Sequence, residues 1–375
     1  MVLLIGNYAP DRQQSMDRFA IMLLSGLTAA GISADLIRPR PVFGRFRYGG
    51  AFLAKWLAYV DKFILFPWQL RRRLRTAPAV VHICDHSNAM YARGINGVPV
   101  VTSCHDLLAV RGALGEQTDC PASFTGKLLQ RWILAGLRAA AVVACVSKAT
   151  LEDARRLVAR RDGKPELELL SLGLSYPYRQ LPADEARRRL ARFPALSPDM
   201  PFVLHVGSNL RRKNREGVLS IFGRCKSEWN GLLVFAGEPL SESLRSLARH
   251  LGVLDRVVEV SETTNEELEG LYNCATAFLF PSRFEGFGWP IIEAQACGCP
   301  VICGDRSPLP EVAGDAGLIH PAEEEDQFAA EIIRLTDPKE RALWSEKSLR
   351  NAQRFSTDKM IAKCISVYHM IGAKI

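Results

Sequence analysis

The chain has 375 residues, too many for one ordinary core and enough for two domains of roughly 150–200 residues each. Hydrophobic residues make up 48% and charged residues 23%, the balance of a globular protein, which excludes a disordered or fibrous chain. A formal net charge of +8 favours anionic partners (nucleotide phosphates, nucleic acid or an acidic membrane surface) without choosing among them.

The start, Met1-Val2-Leu3-Leu4-Ile5-Gly6, is apolar at once and has no basic lead, so it reads as a first buried strand rather than a signal peptide. Ten cysteines are scattered along the chain, and reduced thiols in a cytoplasmic protein are expected. No run of 18 apolar residues occurs, so no membrane-spanning helix is expected. The first loop, 7–16, contains Gln14 and Ser15 and leads into a helix over 16–30. Residues 52–75 follow a helical apolar pattern through Phe52, Leu53, Trp56, Leu57, Val60, Phe63 and Ile64, with Lys55 and Lys62 on another face. Pro67 is expected to break this helix, and Arg71, Arg72, Arg73 and Arg75 come after it. A basic, aromatic-rich helix of this kind either lies on an anionic membrane or packs its stripe on a sheet.

Strands are predicted at 80–83, 98–103 and 141–146, with a helix over 148–160. The second of these strands runs into His105-Asp106-Leu107, a polar pair whose bland reading is a hydrogen-bonded structural couple. Residues 175–200 carry Pro177, Pro182, Pro194 and Pro198 around a mixed-charge helix and read as a linker. Strands resume at 202–206, 232–236, 257–260, 277–280 and 301–303, with helices at 265–274 and 290–297. Alternation of this kind predicts an α/β protein of two doubly wound, Rossmann-like domains facing each other across a deep interdomain cleft, with ligands outside the carboxyl ends of the strands. Cys297, Cys299 and Cys303 lack a usual zinc spacing and read as small buried residues.

Two phrases carry chemistry. After the first strand of the second half comes Val206-Gly207-Ser208-Asn209-Leu210-Arg211-Arg212-Lys213-Asn214, a turn followed by three cations at a helix start, which suits a diphosphate without metal. After the strand at 277–280 comes Pro281-Ser282-Arg283-Phe284-Glu285-Gly286-Phe287-Gly288-Trp289-Pro290-Ile291-Ile292-Glu293. Gly286 and Gly288 permit positive φ and close ligand approach, and Pro290 suits the first helical position. Carboxylates at Glu285 and Glu293 can hold vicinal hydroxyls; the bland alternatives are a solvated loop acid and a helix-end acid.

These two phrases, with Ser307-Pro308-Leu309-Pro310-Glu311-Val312-Ala313-Gly314 and the tail from Arg354-Phe355-Ser356-Thr357, resemble the family 4 retaining glycosyltransferases of the GT-B fold. The resemblance extends over most of the chain and implies an acceptor-binding domain of residues 1–178, joined by a C-terminal helix of about residues 357–375, and a donor-binding domain of residues 179–356. It implies that Lys213 and Arg212 bind the diphosphate of a nucleotide sugar and that Glu293 holds its ribose. Glu285 lies by the transferred sugar, the backbone of Phe287, Gly288 and Trp289 meets sugar and phosphates, and Ser208, Asn209 and Ser261 complete the donor side, the last near the base. Many relatives have Arg where Ser208 stands, which leaves Arg211 or Arg212 to supply the second cation. His105-Asp106-Leu107 is similar to a phrase of the family's mannosyltransferases, so His105 is a candidate catalytic contact, and Asp106, Gln14 and Ser15 are candidates on the acceptor side.

The implied activity is metal-independent transfer of a hexose, with GDP-mannose ranked ahead of UDP-hexoses, to a glycan or lipid-linked acceptor in cell-surface polysaccharide or glycolipid synthesis. No cofactor is expected, and no Asp-x-Asp motif is present for a nucleotide-bound metal. The implied place is the cytoplasm, with 52–75 as a contact to the inner face of the plasma membrane. Alternatives are a non-catalytic sugar-nucleotide-binding protein and a nucleotide-sugar epimerase of the same fold. A nucleic-acid binder is disfavoured, because no recognisable module or aromatic stacking motif is present.

Overall fold

The computed structural model describes residues 1–45, 50–196 and 200–375, with the backbone alone described at 50–54. Pro198 and the side chains of Phe52 and Leu53 therefore lie outside the described residues. The chain divides into two compact units, Met1–Ser175 with Thr357–Ile375, and Tyr176–Ser356.

The first unit contains β1 (Val2–Ile5), α1 (Gln14–Ala29), β2 (Ala34–Ile37), α2 (Gly50–Val60), α3 (Phe66–Leu74), β3 (Val80–Ile83), β4 (Val100–Cys104), α4 (Leu108–Ala113), α5 (Phe124–Leu137), β5 (Val142–Cys145), α6 (Lys148–Leu157) and β6 (Glu166–Leu169). The second contains α7 (Ala183–Arg189), β7 (Phe202–Gly207), α8 (Arg215–Cys225), β8 (Leu232–Gly237), α9 (Glu242–His250), β9 (Val257–Val260), α10 (Asn265–Cys274), β10 (Ala277–Phe280), α11 (Trp289–Ala296), β11 (Val301–Gly304), α12 (Leu309–Ala313), β12 (Gly317–His320), α13 (Glu325–Arg334) and α14 (Pro338–Ala352). The last helix, α15 (Thr357–Met370), returns to the first unit.

Each unit is built on a six-stranded sheet, ordered β2-β1-β3-β4-β5-β6 in the first and β12-β11-β10-β7-β8-β9 in the second. Every strand pairing is parallel. Inner strands such as Val-Leu-Leu-Ile at β1 and Ala-Phe-Leu-Phe at β10 are buried on both faces, as parallel strands under two helix layers must be. The first core joins Leu3, Ile5, Val81 and Ile83 to Phe66, Leu134 and Leu137, and the second joins Val203, Leu233 and Leu279 to Phe222, Phe328 and Ile332. Nine strands fall where the sequence predicts them. The three it misses, β2, β6 and β12, are all sheet edges. Their sequences, Ala-Asp-Leu-Ile, Glu-Leu-Glu-Leu and Gly-Leu-Ile-His, are short and broken by polar residues or glycine, so they lack the continuous apolar run that marks an inner strand.

Two other expectations are corrected. Pro67 does not break its helix, because a π-turn at Asp61–Leu65 joins α2 to α3 and Pro67 sits in the first turn of α3. The wider turn bonds the Phe66 N–H to the Asp61 carbonyl, and in a first turn the missing proline N–H costs little. Residues 176–196 are not a free linker. Tyr176 onward belongs to the second unit, where α7 packs on α10. Glu269 of α10, almost fully buried, accepts the Arg179 backbone N–H at 2.8 Å and the Arg189 guanidinium. Asn273 accepts the Leu181 N–H at 2.8 Å. Cys297, Cys299 and Cys303 are buried as expected. No helix among the described residues is long and apolar enough to cross a membrane.

Removing one partner of a buried pair leaves the other uncompensated. Glu269→Ala is therefore expected to destabilise the second unit by about 3–5 kcal/mol. Glu185→Ala, which removes the more exposed partner of Arg189, is expected to cost under about 1 kcal/mol. Urea unfolding of the two variants checks the difference.

Candidate functional site

In an open parallel sheet, ligands collect where neighbouring strands send their connections to opposite faces. In the second unit that point lies between β7 and β10, since β8 and β9 continue on one side and β11 and β12 on the other. The two phrases singled out in the sequence are the loops that leave these two strands. They are tied together by the Arg283 N–H bonded to the Arg212 carbonyl at 2.8 Å, and by Asn214 Nδ2 bonded to the Pro281 carbonyl at 3.1 Å. Asn214 takes the left-handed conformation (φ 54°) at the start of α8, turning the chain sharply after Lys213.

This junction brings Glu285, Arg212 and Lys213 together. Lys213 Nζ lies 2.6 Å from Glu285 Oε1, and Arg212 Nη1 lies 2.8 Å from Oε2 and 3.2 Å from the Phe284 carbonyl oxygen. The Glu285 side chain is only 7% exposed. Burial pushes its carboxyl up, but the charges of Lys213 and Arg212 outweigh burial and hold it below the ordinary range, so it stays a carboxylate. Burial pulls the Lys213 ammonium down from its usual value; Glu285 opposes that fall and Arg212 adds to it. The Lys213 ammonium also lies 5.0 Å from the Phe280 ring centroid. Arg211 is exposed, so Arg212 is the second cation of the cluster.

Asn209 is fixed in the same loop that carries these cations. Its backbone N–H donates to Glu238 at 2.8 Å, and its Oδ1 accepts from Arg215 at 2.7 Å. Arg215 carries no motif signal, yet it is buried and also holds the Gly207 carbonyl at 2.5 Å and the Glu238 carbonyl at 2.7 Å. Burial lowers its pKa to about 10. Ser208 is half-buried in the same loop, and Ser261 is half-buried after β9, two strands from β7.

Beyond Glu285 the chain turns into α11 through Gly288, whose φ of 106° disfavours any side chain; an added Cβ there would come within 3.2 Å of Leu309 Cδ2. Gly286 is not among the positive-φ glycines. Trp289, not Pro290, is the first residue of the helix, with Pro290 second, a position that likewise needs no N–H. Phe287 is buried edge-on against Phe355, with ring centroids 5.8 Å apart, and Trp289 is buried as well. Glu293, one turn into α11, is buried and accepts the Tyr272 hydroxyl at 3.0 Å. Burial, with the charge of Glu293, keeps that phenol well above its ordinary pKa and therefore a donor.

In the first unit the corresponding switch point lies between β1 and β3. His105, after β4, is buried and does not bond its neighbour Asp106. Its Nε2–H donates to the Cys84 carbonyl at 2.9 Å, and Asp106 accepts the Leu108 backbone N–H at 3.0 Å. The expected His–Asp couple is thus replaced by separate backbone contacts. Gln14 and Ser15 are exposed at the start of α1. Between them in the fold lies a cluster that no motif announces. Buried Asp85 accepts from Asn7 Nδ2 at 2.5 Å and Ser87 Oγ at 2.6 Å, and lies 3.2 Å from His86 Nδ1; Asn88 donates to Asn7 at 3.0 Å. Burial raises the Asp85 carboxyl, but His86 and His105, then Ser87 and Asn7, bring it below its ordinary value. Burial lowers the His105 pKa and outweighs the pull of Asp85, leaving a neutral imidazole. Composition gives the only earlier hint, a dense polar run after an apolar strand. Among the described residues no group of three or more His, Cys, Asp or Glu side chains is placed to hold a metal ion.

The model of the family described as Glycosyl transferases group 1 matches residues 187–350, and that of Glycosyltransferase Family 4 matches residues 16–164. The chain belongs to this glycosyltransferase family. An O-antigen chain mannosyltransferase B of Escherichia coli is 39% identical over 108 residues, 28% of either chain. A D-inositol 3-phosphate glycosyltransferase of Acidothermus cellulolyticus is 29% identical over 287 residues, 72% of this chain and 62% of that one, so each match spans less than two thirds of the relative. The sucrose-phosphate synthase of Thermosynechococcus elongatus superposes with a TM-score of 0.77 at 20% identity, over 100% of this chain and 99% of that one, and shares the GT-B fold.

The depressed Glu285 carboxyl sets an acid dependence. Its stabilising contribution is complete above the unfolded glutamate pKa of about 4.3 and is lost as pH falls through the lower folded value. Glu285→Gln should remove that acid limb from the stability of the second unit. A double-mutant cycle with Lys213→Met at neutral pH should give a coupling of about 0.5–3 kcal/mol. Urea titrations at neutral and acid pH measure both.

Proposed function

We propose that the chain transfers a hexose from a nucleotide diphosphate sugar to a hydroxyl of a glycan or lipid-linked acceptor, with retention at the anomeric carbon and without a metal ion. The observation that carries this reading is the Glu285–Arg212–Lys213 cluster at the β7/β10 switch point. Among the described residues Arg212 meets Glu285 through Nη1 alone, and an ammonium has three protons to share, so both cations retain donors for a diphosphate. With the amides that open α11 they would neutralise the charge growing on the departing diphosphate.

In this reading Glu285, locked by the same cations, faces the sugar, and Phe287, Gly288 and Trp289 frame it. Ser208 and Asn209 line the phosphate side, Glu293 takes the ribose and Ser261 lies near the base. The acceptor oxygen bonds to the anomeric carbon on the face from which the diphosphate leaves, the carbon–phosphate-oxygen bond breaks, and the leaving oxygen accepts the acceptor's proton. His105, neutral and protonated on Nε2, is left to contact sugar or acceptor through its other nitrogen, with Asp106, Gln14 and Ser15 on the acceptor side. The His105-Asp106-Leu107 phrase and the mannosyltransferase relative favour GDP-mannose over UDP-hexoses. The pathway would be cytoplasmic synthesis of a cell-surface polysaccharide or glycolipid.

Thermal-shift screening against a nucleotide-sugar panel identifies the donor, since a ligand at a hundred times its Kd adds about 2.7 kcal/mol of stability. With that donor and an acceptor, Glu285→Gln and Lys213→Ala are each expected to lower kcat by about a hundredfold or more, and EDTA to leave it unchanged. NMR of the product should show the anomeric configuration of the donor. Full activity in either variant, or consumption of donor to an epimer without acceptor, would overturn the reading.

A further inference from the structure

The first unit carries a surface that the transfer reaction leaves unused. On α5, Phe124, Leu128 and Trp132 recur every fourth residue and are exposed, Phe124 by 78%, whereas Ile133, Leu134 and Leu137 on the other side of the helix are core residues. On the α2–α3 helix, Trp56, Ile64 and Trp68 are exposed, the last two by 64% and 60%. A π-turn holds about one residue more than an α-turn. The exposed face therefore shifts by one position across Asp61–Leu65, and Ile64 and Trp68 continue the face begun by Trp56. Rings join the two helices into one patch: Trp56 to Tyr59 at 5.7 Å, Tyr59 to Phe63 at 5.2 Å and Phe63 to Trp132 at 5.2 Å between centroids.

Lys62 and Arg73 of these helices pair with Asp11 and Asp35, and the remaining charges exposed on them have one sign. Lys55, Arg71, Arg72, Lys127 and Arg131 on the same helices, and Arg75 just after α3, form no ion pair among the described residues. Arg72 lies over the Trp68 ring at 4.6 Å. The one acid in 50–75 and 124–137 is Asp61, and it does not reach the surface. It is fully buried, accepting the backbone N–H groups of Val42, Phe43 and Gly44 and the Tyr8 hydroxyl. Exposed tryptophans with apolar neighbours and an excess of basic residues at the border match a bilayer interface, where rings sit at headgroup depth and cations meet anionic headgroups. A second copy fits less well, since a two-fold contact sets the patch against itself and would bring basic rim to basic rim.

We propose that α2, α3 and α5 of the first unit form one docking surface for an anionic lipid bilayer, with α5 as an insertion element equal to the better-marked 52–75 segment. Docking does not depend on the transferase reading, because it needs neither donor nor acceptor.

The test is co-sedimentation of the full chain with vesicles of phosphatidylcholine alone or mixed with phosphatidylglycerol. Binding is expected to the mixed vesicles, about tenfold or more tighter than to the neutral ones, and to weaken with salt. Phe124→Ser with Trp132→Ser, and separately Arg71→Ser with Arg72→Ser, should each lower it by about tenfold while the thermal transition is kept. Brominated acyl chains should quench the tryptophan fluorescence of the unmodified protein, a readout that needs no variant. The proposal is overturned if the unmodified chain ignores anionic vesicles at low salt, if brominated lipid does not quench it, or if the folded α5 variant binds as tightly as the original. It is equally overturned if light scattering shows a dimer that the α5 substitutions dissolve.

Discussion

A carboxylate withdrawn from water stays charged only where cations or hydrogen-bond donors face it, and Glu285 meets that condition through Arg212 and Lys213. Much of the second unit serves that contact. Reversal of strand order between β7 and β10 brings their two loops together. The left-handed turn at Asn214 and the bond to the Pro281 carbonyl fix one loop against the other. Arg215 anchors the base of the first loop by its carbonyls. Charge, loop and sheet order therefore hold one another in place, and a change at any of them acts on the same three side chains.

The first unit meets the same constraint with different chemistry. At its own switch point the charge is a single buried carboxylate, Asp85, faced by His86 and by amide and hydroxyl donors instead of permanent cations. The nearby His105 is neutral and protonated on Nε2 because the Cys84 carbonyl accepts there. A neutral, oriented imidazole beside a carboxylate suits contact with uncharged hydroxyls. The lysine–arginine pair of the second unit suits phosphate. The two halves share a sheet architecture and differ in the charge they hold at the switch point.

What was legible in the sequence follows from how each feature is encoded. Inner strands announce themselves because burial on both faces demands unbroken apolar runs, as in Val-Val-Ala-Cys at β5 and Leu-Leu-Val-Phe-Ala-Gly at β8. Edge strands pair on one side only and relax that demand, so Glu-Leu-Glu-Leu passes for a loop. The Glu285–Arg212–Lys213 cluster was legible because its members are neighbours along two short loops. Asp85 and Asn7 were not, since they are 78 positions apart and meet only once β1 and β3 pair. The couple expected of His105 and Asp106 failed for a related reason: adjacent residues leaving a strand point apart, and each found a nearer backbone partner. Pro67 misled because the rule that proline ends a helix assumes an α-turn before it, and here a π-turn stands there.

The helix α15 has a consequence for the order in which the molecule is made. Its Tyr368 hydroxyl lies 2.6 Å from His82 in the sheet of the first unit, whose other ring nitrogen lies 2.8 Å from Ser103 Oγ. Burial and the neighbouring His105 drop the His82 pKa to about 3, so this imidazole needs a neutral partner at each nitrogen. Gly26 and Gly173 likewise lie against Ile361 and Thr357 with no room for a side chain. During synthesis, then, the first unit leaves the ribosome with a polar seam open, and the segment that seals it follows the entire second unit. The half that begins first is completed last.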